Sequence, residues 1–168
     1  RKALENFSSN LSSKMHKAII YQIEIIEKIK LAHEKKERLN LENQYLSYLN
    51  LSGAKLGYAN LKSANFTATY LNKAELEGAD LSNADFSGAN LTEAILIKAQ
   101  LQQANLTHAD LHFANLSQAI LVKAILKETI IYFADLTQAD LTEAHLEKAQ
   151  FNDTHLNQAI LIGASLNA

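Results

Sequence analysis

The chain has 168 residues, a net charge of −2 at pH 7 and no cysteine, proline or tryptophan. Those figures exclude disulfides and thiolate metal sites, and they offer no basic surface for a polyanion. Five glycines are too few for a phosphate-cradling loop, and no apolar run reaches the about 18 residues that span a bilayer as a helix.

Charge divides the chain in two. Residues 1–50 hold nine Lys or Arg and six acids, net +3, whereas residues 51–168 hold seven Lys and twelve acids, net −5. We therefore separate a helical extension, 1–50, from a second unit, 51–168. Residues 11–40 lack Gly and Pro and have helical spacing. Leu11, Met15, Ala18, Ile25, Ile29 and Ala32 recur at steps of three and four or their sums, and Ile19, Ile23 and Ile26 widen the stripe. Asn10 or Ser12 is the expected N-cap. The run Glu34-Lys35-Lys36-Glu37-Arg38 reads as a solvated helix end. Leu41, Leu46 and Leu51 then fall five apart, so residues 39–50 lead into the second unit.

From residue 51 the period is five. Large apolar centres stand at 51, 56, 61 and onward to 166, which makes 24; twenty are Leu, and the others are Phe66, Phe86, Ile131 and Phe151. The residue two before each centre is Ala from Ala54 to Ala164, except Thr69, Thr129 and Thr154. Five matches neither the helical period of about 3.6 nor the strand period of 2. A repeat this short cannot hide its own leucine and has to stack on its neighbours, as in a solenoid. A square coil resolves the spacing: each unit forms one side and its corner, and four units make a turn. The centre and the small residue then point inward, and centres stack at i and i+20. Coils at β spacing lie about 4.8 Å apart.

The words Ala79-Asp80-Leu81, Ala84-Asp85-Phe86, Ala89-Asn90-Leu91, Ala109-Asp110-Leu111 and Ala139-Asp140-Leu141 carry a pattern that resembles the pentapeptide-repeat family. The resemblance covers residues 51–168. It implies an all-β solenoid, a right-handed quadrilateral β-helix of about six 20-residue coils, here with an amino-terminal α-helical extension. Some relatives are acidic rods that mimic DNA and bind gyrase. The family occurs in bacterial cytoplasm and in the thylakoid lumen; the cytoplasm is the expected compartment, with the lumen the alternative for a cyanobacterial chain. Starting at Arg1 and stopping just after Leu166, the sequence reads as a piece of a longer protein.

The first coil of a solenoid exposes unpaired backbone groups and leucines, an edge that invites aggregation. The extension is therefore expected to cap it, ahead of a helical dimer contact. A membrane-surface role is disfavoured because acids interrupt its basic residues.

Catalytic groups do not converge. Asp80 and Asp85, like Asp135 and Asp140, fall on adjoining sides of a coil and point apart. Asp or Asn before a centre is expected to bond the backbone at the turn instead. His108 and His112 are four apart, a helical spacing on a chain that is not helical there, and His145 and His155 fall on opposite sides. No cofactor or metal is expected.

Several outer positions are apolar. Ile95 and Ile97 flank Leu96. Ile120, Val122, Ile125, Ile130, Tyr132 and Phe133 ring the coil 116–135; Phe113 should stack on Phe133, and Ile160 and Ile162 recur two coils beyond Ile120 and Val122. Contiguous apolar exposure marks contact surfaces. The expected partner is a protein, either a second copy or another domain of a parent chain, with nucleic acid and membrane disfavoured. An uncapped last coil would also place Leu156, Leu161 and Leu166 at an end-to-end seam. The reading is a non-catalytic structural or interaction module, with a gyrase-binding DNA mimic as the alternative.

Overall fold

The computed structural model describes residues 2–166, with side chains from Ser13. Helix α1 spans Lys2–Lys35. It starts earlier than residue 11, and it ends within the charged run Glu34–Arg38 that reads as a helix end. Asn10 and Ser12 lie within it and do not cap it. Its end comes where Lys36 turns to φ 55°, and Glu37 donates back to the Ala32 carbonyl at 2.9 Å.

Every later bridge is parallel and joins residue i to i+20, beginning with Asn40↔Asn60 and running to His145↔Ser165. The chain is thus a quadrilateral β-helix with an amino-terminal helix. One residue bridges on each side, because two of every five form the corner; the sides are too short for longer strands. Residues 40, 45 and 50 already bridge, as the spacing of Leu41 and Leu46 implied.

The five-residue word is set by where the backbone N–H groups go. Around Leu81, the Asp80 N–H donates to Ala59 one coil back. Leu81 and Asn83 donate to Gln100 and Gln102 one coil on, and Ala84 closes the turn on the Leu81 carbonyl. That leaves the N–H of Ser82. It donates to Asp80 Oδ1 at 3.2 Å, and the same bond recurs from Thr92 to Asn90 and from Ser117 to Asn115. The Asp or Asn before the centre therefore satisfies the one amide that the ladder omits.

The residue two after each centre from Leu41 to Leu161 sits at positive φ, as Glu93, Gln103 and Phe113 do at 56–58°. Glycine would be free there, yet most turns carry larger residues, whose strain the surrounding ladder overrides.

Inside, the centres and the small residues from Ala59 to Leu146 are at most 1% exposed. Phe66 stacks on Phe86 with centroids 4.8 Å apart and planes 2° from parallel, one coil repeat. Each threonine at a small position donates to the centre carbonyl 23 residues back: Thr69 to Leu46 at 2.7 Å, Thr129 to Leu106 at 2.7 Å and Thr154 to Ile131 at 2.6 Å.

At the open first coil the small position holds Leu39 and Leu49 instead of alanine, and both join one core with Ile25 and Ile29 of α1. With no coil beneath, a larger side chain fills the space up to the helix. Gln22 adds a bond to the Asn50 carbonyl at 3.4 Å. The helix therefore covers the amino-terminal end of the solenoid, as an edge of this kind requires.

Candidate interaction surface

Stacking by 20 fixes which outer residues share a side. Ile120, Val122, Ile160 and Ile162 fall on one side, Ile125 on the next, and Ile130, Tyr132, Phe113 and Phe133 on the third. The nine do not form a single flat patch. Six of them ring three sides of one coil, Phe113 stands beside that ring, and Ile160 and Ile162 lie apart, beyond Asp140 and Thr142. Ile120, Phe113, Phe133, Ile160 and Ile162 are exposed, and Val122, Ile125, Ile130 and Tyr132 are half-buried. Ile95 and Ile97 lie on the fourth side, away from the ring.

Aromatic side chains form the densest part. Phe113 stacks on Phe133 at 5.1 Å and 11°, and the His112 ring meets Tyr132 edge-on at 4.9 Å. Asp110 holds His112 Nδ1 at 2.8 Å, and the Tyr132 hydroxyl bonds Gln150.

The ring also lacks the turn bond, as do the repeats at Tyr70, Glu75, Ile95 and Gln100. Ile120, Ile125 and Ile130 occupy the position that holds Asp or Asn in the matching words, so the following amides of Val122, Lys127 and Tyr132 have no side-chain oxygen to accept them. A hydrogen bond of this kind contributes about 0.5–1.5 kcal/mol. Three consecutive repeats forgo it in favour of an apolar exterior.

Titratable groups serve the scaffold. Asp80 and Asp85 accept from Ser82 and Ser87, and Asp135 and Asp140 from Thr137 and Thr142. The Thr137 side chain and amide, with His155 nearby, hold the Asp135 carboxyl below its ordinary value against the opposing effect of burial. Glu147 is lowered chiefly by its own backbone N–H and the Ser165 hydroxyl, which donates at 2.8 Å. His108 faces Glu128 at 3.6 Å, one coil on, and His145 faces Glu147 at 3.5 Å. Among the described residues no group of three His, Cys, Asp or Glu is placed to hold a metal ion, and no helix is long and apolar enough to cross a membrane.

Two surfaces escaped the sequence. Tyr45, Tyr48, Tyr58 and Tyr70 stand exposed on the coils nearest the helix; tyrosines at outward positions of the five-residue beat were the available signal. The hydrogen bond from Tyr58 to Glu77, with the charge of that carboxylate, raises the phenol above its ordinary value. The second is a groove between α1 and the coils, which no linear pattern marks.

Comparison with known proteins is consistent with this architecture. The family model for Pentapeptide repeats matches in eight copies, at residues 45–83, 59–96, 84–122 and 129–167. Among solved structures, a pentapeptide repeat protein of the Arabidopsis thaliana thylakoid lumen is 32% identical, covering 61% of this chain and 68% of its own, with a TM-score of 0.48. One from Nostoc PCC 7120 is 37% identical over 50% of this chain and 67% of its own, TM-score 0.47. A third, from the cyanobacterium Cyanothece 51142, is 26% identical over 77% and 88%, TM-score 0.35. No curated protein matches the chain. With the family's repeats matched along most of its length and the leucine ladder inside a square coil, the chain belongs to the pentapeptide-repeat family.

Proposed function

We propose that the chain is a non-catalytic structural and protein-interaction module. Residues 51–168, about six 20-residue coils, form the interaction rod, and residues 1–50 supply the cap, a helix that projects from it and, at 40–50, the lead-in to the coils. One observation carries the reading: three successive repeats place Ile120, Ile125 and Ile130 at the outward position before the centre and, with Val122, Tyr132 and Phe133, ring the coil with apolar surface. Contiguous apolar exposure fits a protein contact. The partner is a second copy or another domain of a parent chain. The proposed compartment is the cytoplasm, or the thylakoid lumen for a cyanobacterial chain.

Binding to gyrase as a DNA mimic stands second. Asp80, Asp85, Asp110 and Asp135 fall on four different sides, and Lys73, Lys123 and Lys127 pair with the glutamate one coil on, which breaks up a continuous acidic face. The test is solution mass by light scattering across a dilution series, for the wild type beside Ile120→Asp/Tyr132→Asp. A dimer that the double substitution splits supports the ring as the contact between copies; a dimer that survives it argues against the ring.

A further inference from the structure

The cap leaves part of its helix without a partner. Tyr21, Ile25, Ile29 and Ala32 turn toward the coils, whereas residues 13–20 are exposed on every side. On the projecting part Met15, Ile19 and Ile23 are 59%, 57% and 50% exposed. They continue through Ile26, Lys30 and His33 at steps of four, four, three, four and three, a single stripe on one helix face.

That stripe runs into a groove. Ile26 and Ile29 form one wall, and Leu51 and Ala54 of the solenoid form the other, around a cavity of about 340 Å³. Ala54 is partly open, although Ala59 and the alanines at the same position through Ala144 are sealed. At the mouth the turn carries Gly53, and a Cβ added there would meet nothing within 4 Å. The basic lining residues are Lys30, His33 and Lys55, with no acid. Among the described residues these three form no ion pair, whereas Lys73, Lys123 and Lys127 each reach a glutamate.

We infer that the stripe and the groove together are a docking site for an acidic amphipathic helix of another protein. From Met15 to His33 the stripe is about 27 Å long at 1.5 Å per residue, the length of a helical segment of about 18 residues. Such a segment lays its apolar face on Met15, Ile19, Ile23 and Ile26, in the helix-in-groove manner. Its acidic end meets Lys30, His33 and Lys55. A second copy of this chain fits poorly: its own stripe from Met15 to His33 holds no acid to meet the cationic end. The inference rests on the interaction-module reading but uses a surface separate from the ring at Ile120–Phe133.

The test uses the full chain and two labelled synthetic helical peptides of about 18 residues. Each has Leu at helical stripe spacing and Ala elsewhere; one carries three Glu at one end, the other three Lys. Fluorescence anisotropy should show the Glu peptide binding at least about tenfold tighter than the Lys peptide. Ile19→Ser/Ile23→Ser should weaken it at least about tenfold, and Lys30→Glu/Lys55→Glu should reverse the preference. All four side chains are exposed, so circular dichroism should report an unchanged fold. Ile120→Asp/Tyr132→Asp should leave peptide binding as it is, whatever it does to self-association. No binding, equal binding of the two peptides, or indifference to the helix and lysine substitutions would overturn the inference. So would peptide binding lost with the ring substitutions, tighter binding to phosphatidylglycerol vesicles than to the peptide, or self-association abolished by Ile19→Ser/Ile23→Ser.

Discussion

Ile125→Asn separates the two roles that an apolar residue can have in this coil. Ile125 is half-buried and bridges Asn105 on one side and His145 on the other. Asn105 shows what an amide does at this position: its Oδ1 accepts from the Thr107 amide at 3.1 Å and the Thr107 hydroxyl at 2.7 Å. An asparagine at 125 would take the Lys127 amide in the same way, a gain of about 0.5–1.5 kcal/mol. Against that, full burial of an isoleucine side chain contributes about 1.5–3 kcal/mol, and a half-buried one about half as much. The terms offset each other to within about 1 kcal/mol. Ile131, a fully buried centre, offers no such exchange. Ile131→Asn forfeits the whole burial and encloses an amide without a partner, a further cost of about 1–3 kcal/mol. The expected loss is about 4 kcal/mol. Urea and thermal unfolding followed by circular dichroism should place Ile125→Asn within about 4 °C of wild type and Ile131→Asn far below it. Equal losses at the two positions would refute the assignment of Ile125 to the outside.

Leu101→Asp should be severely destabilising, since it places a charge inside the ladder between Leu81 and Leu121. Asn105→Asp should cost about 1 kcal/mol, because the Asn105 amide that now donates to Asp85 at 3.2 Å becomes a second carboxylate; denaturant midpoints rank the two. Thr129→Val removes the hydroxyl bond to the Leu106 carbonyl and keeps the volume, so it should cost about 1 kcal/mol by the same measurement. Asp135, whose carboxyl is held low by Thr137, contributes stability that is full above the ordinary carboxylate pKa and lost as pH falls through the lowered folded value. Acid titration of unfolding should therefore be shallower for Asp135→Asn below about pH 4, and an unchanged slope would remove Asp135 from that dependence.

The interior was legible because one geometric fact, an inward residue every fifth position, writes itself into the chain without interruption. Asp or Asn before the centre was readable as a turn bond for the same reason, since the partner lies two residues away. Helix α1 was readable as a helix and at its carboxyl end, but not at its start: Lys2–Lys35 includes Asn10 and Ser12, whose capping propensity the surrounding helix overrides. The fit of Leu39 and Leu49 against Ile25 and Ile29 depends on how the helix folds back on the first coil. No local pattern encodes that, and the groove beside Leu51 arises from the same packing. The apolar ring was legible residue by residue, but its distribution over three sides emerges only from the 20-residue stacking.

Because the chain has no cysteine, single-cysteine variants report one side chain each. The most direct measurement of the account is the rate of maleimide labelling of Ile120→Cys, Ile125→Cys and Ile130→Cys in dilute protein, beside Leu121→Cys and Leu126→Cys. An apolar ring outside a leucine core predicts fast labelling at 120, 125 and 130 and strong protection at 121 and 126. Protection at all five positions would contradict it, placing the isoleucines in the core and removing the surface on which the proposed function rests.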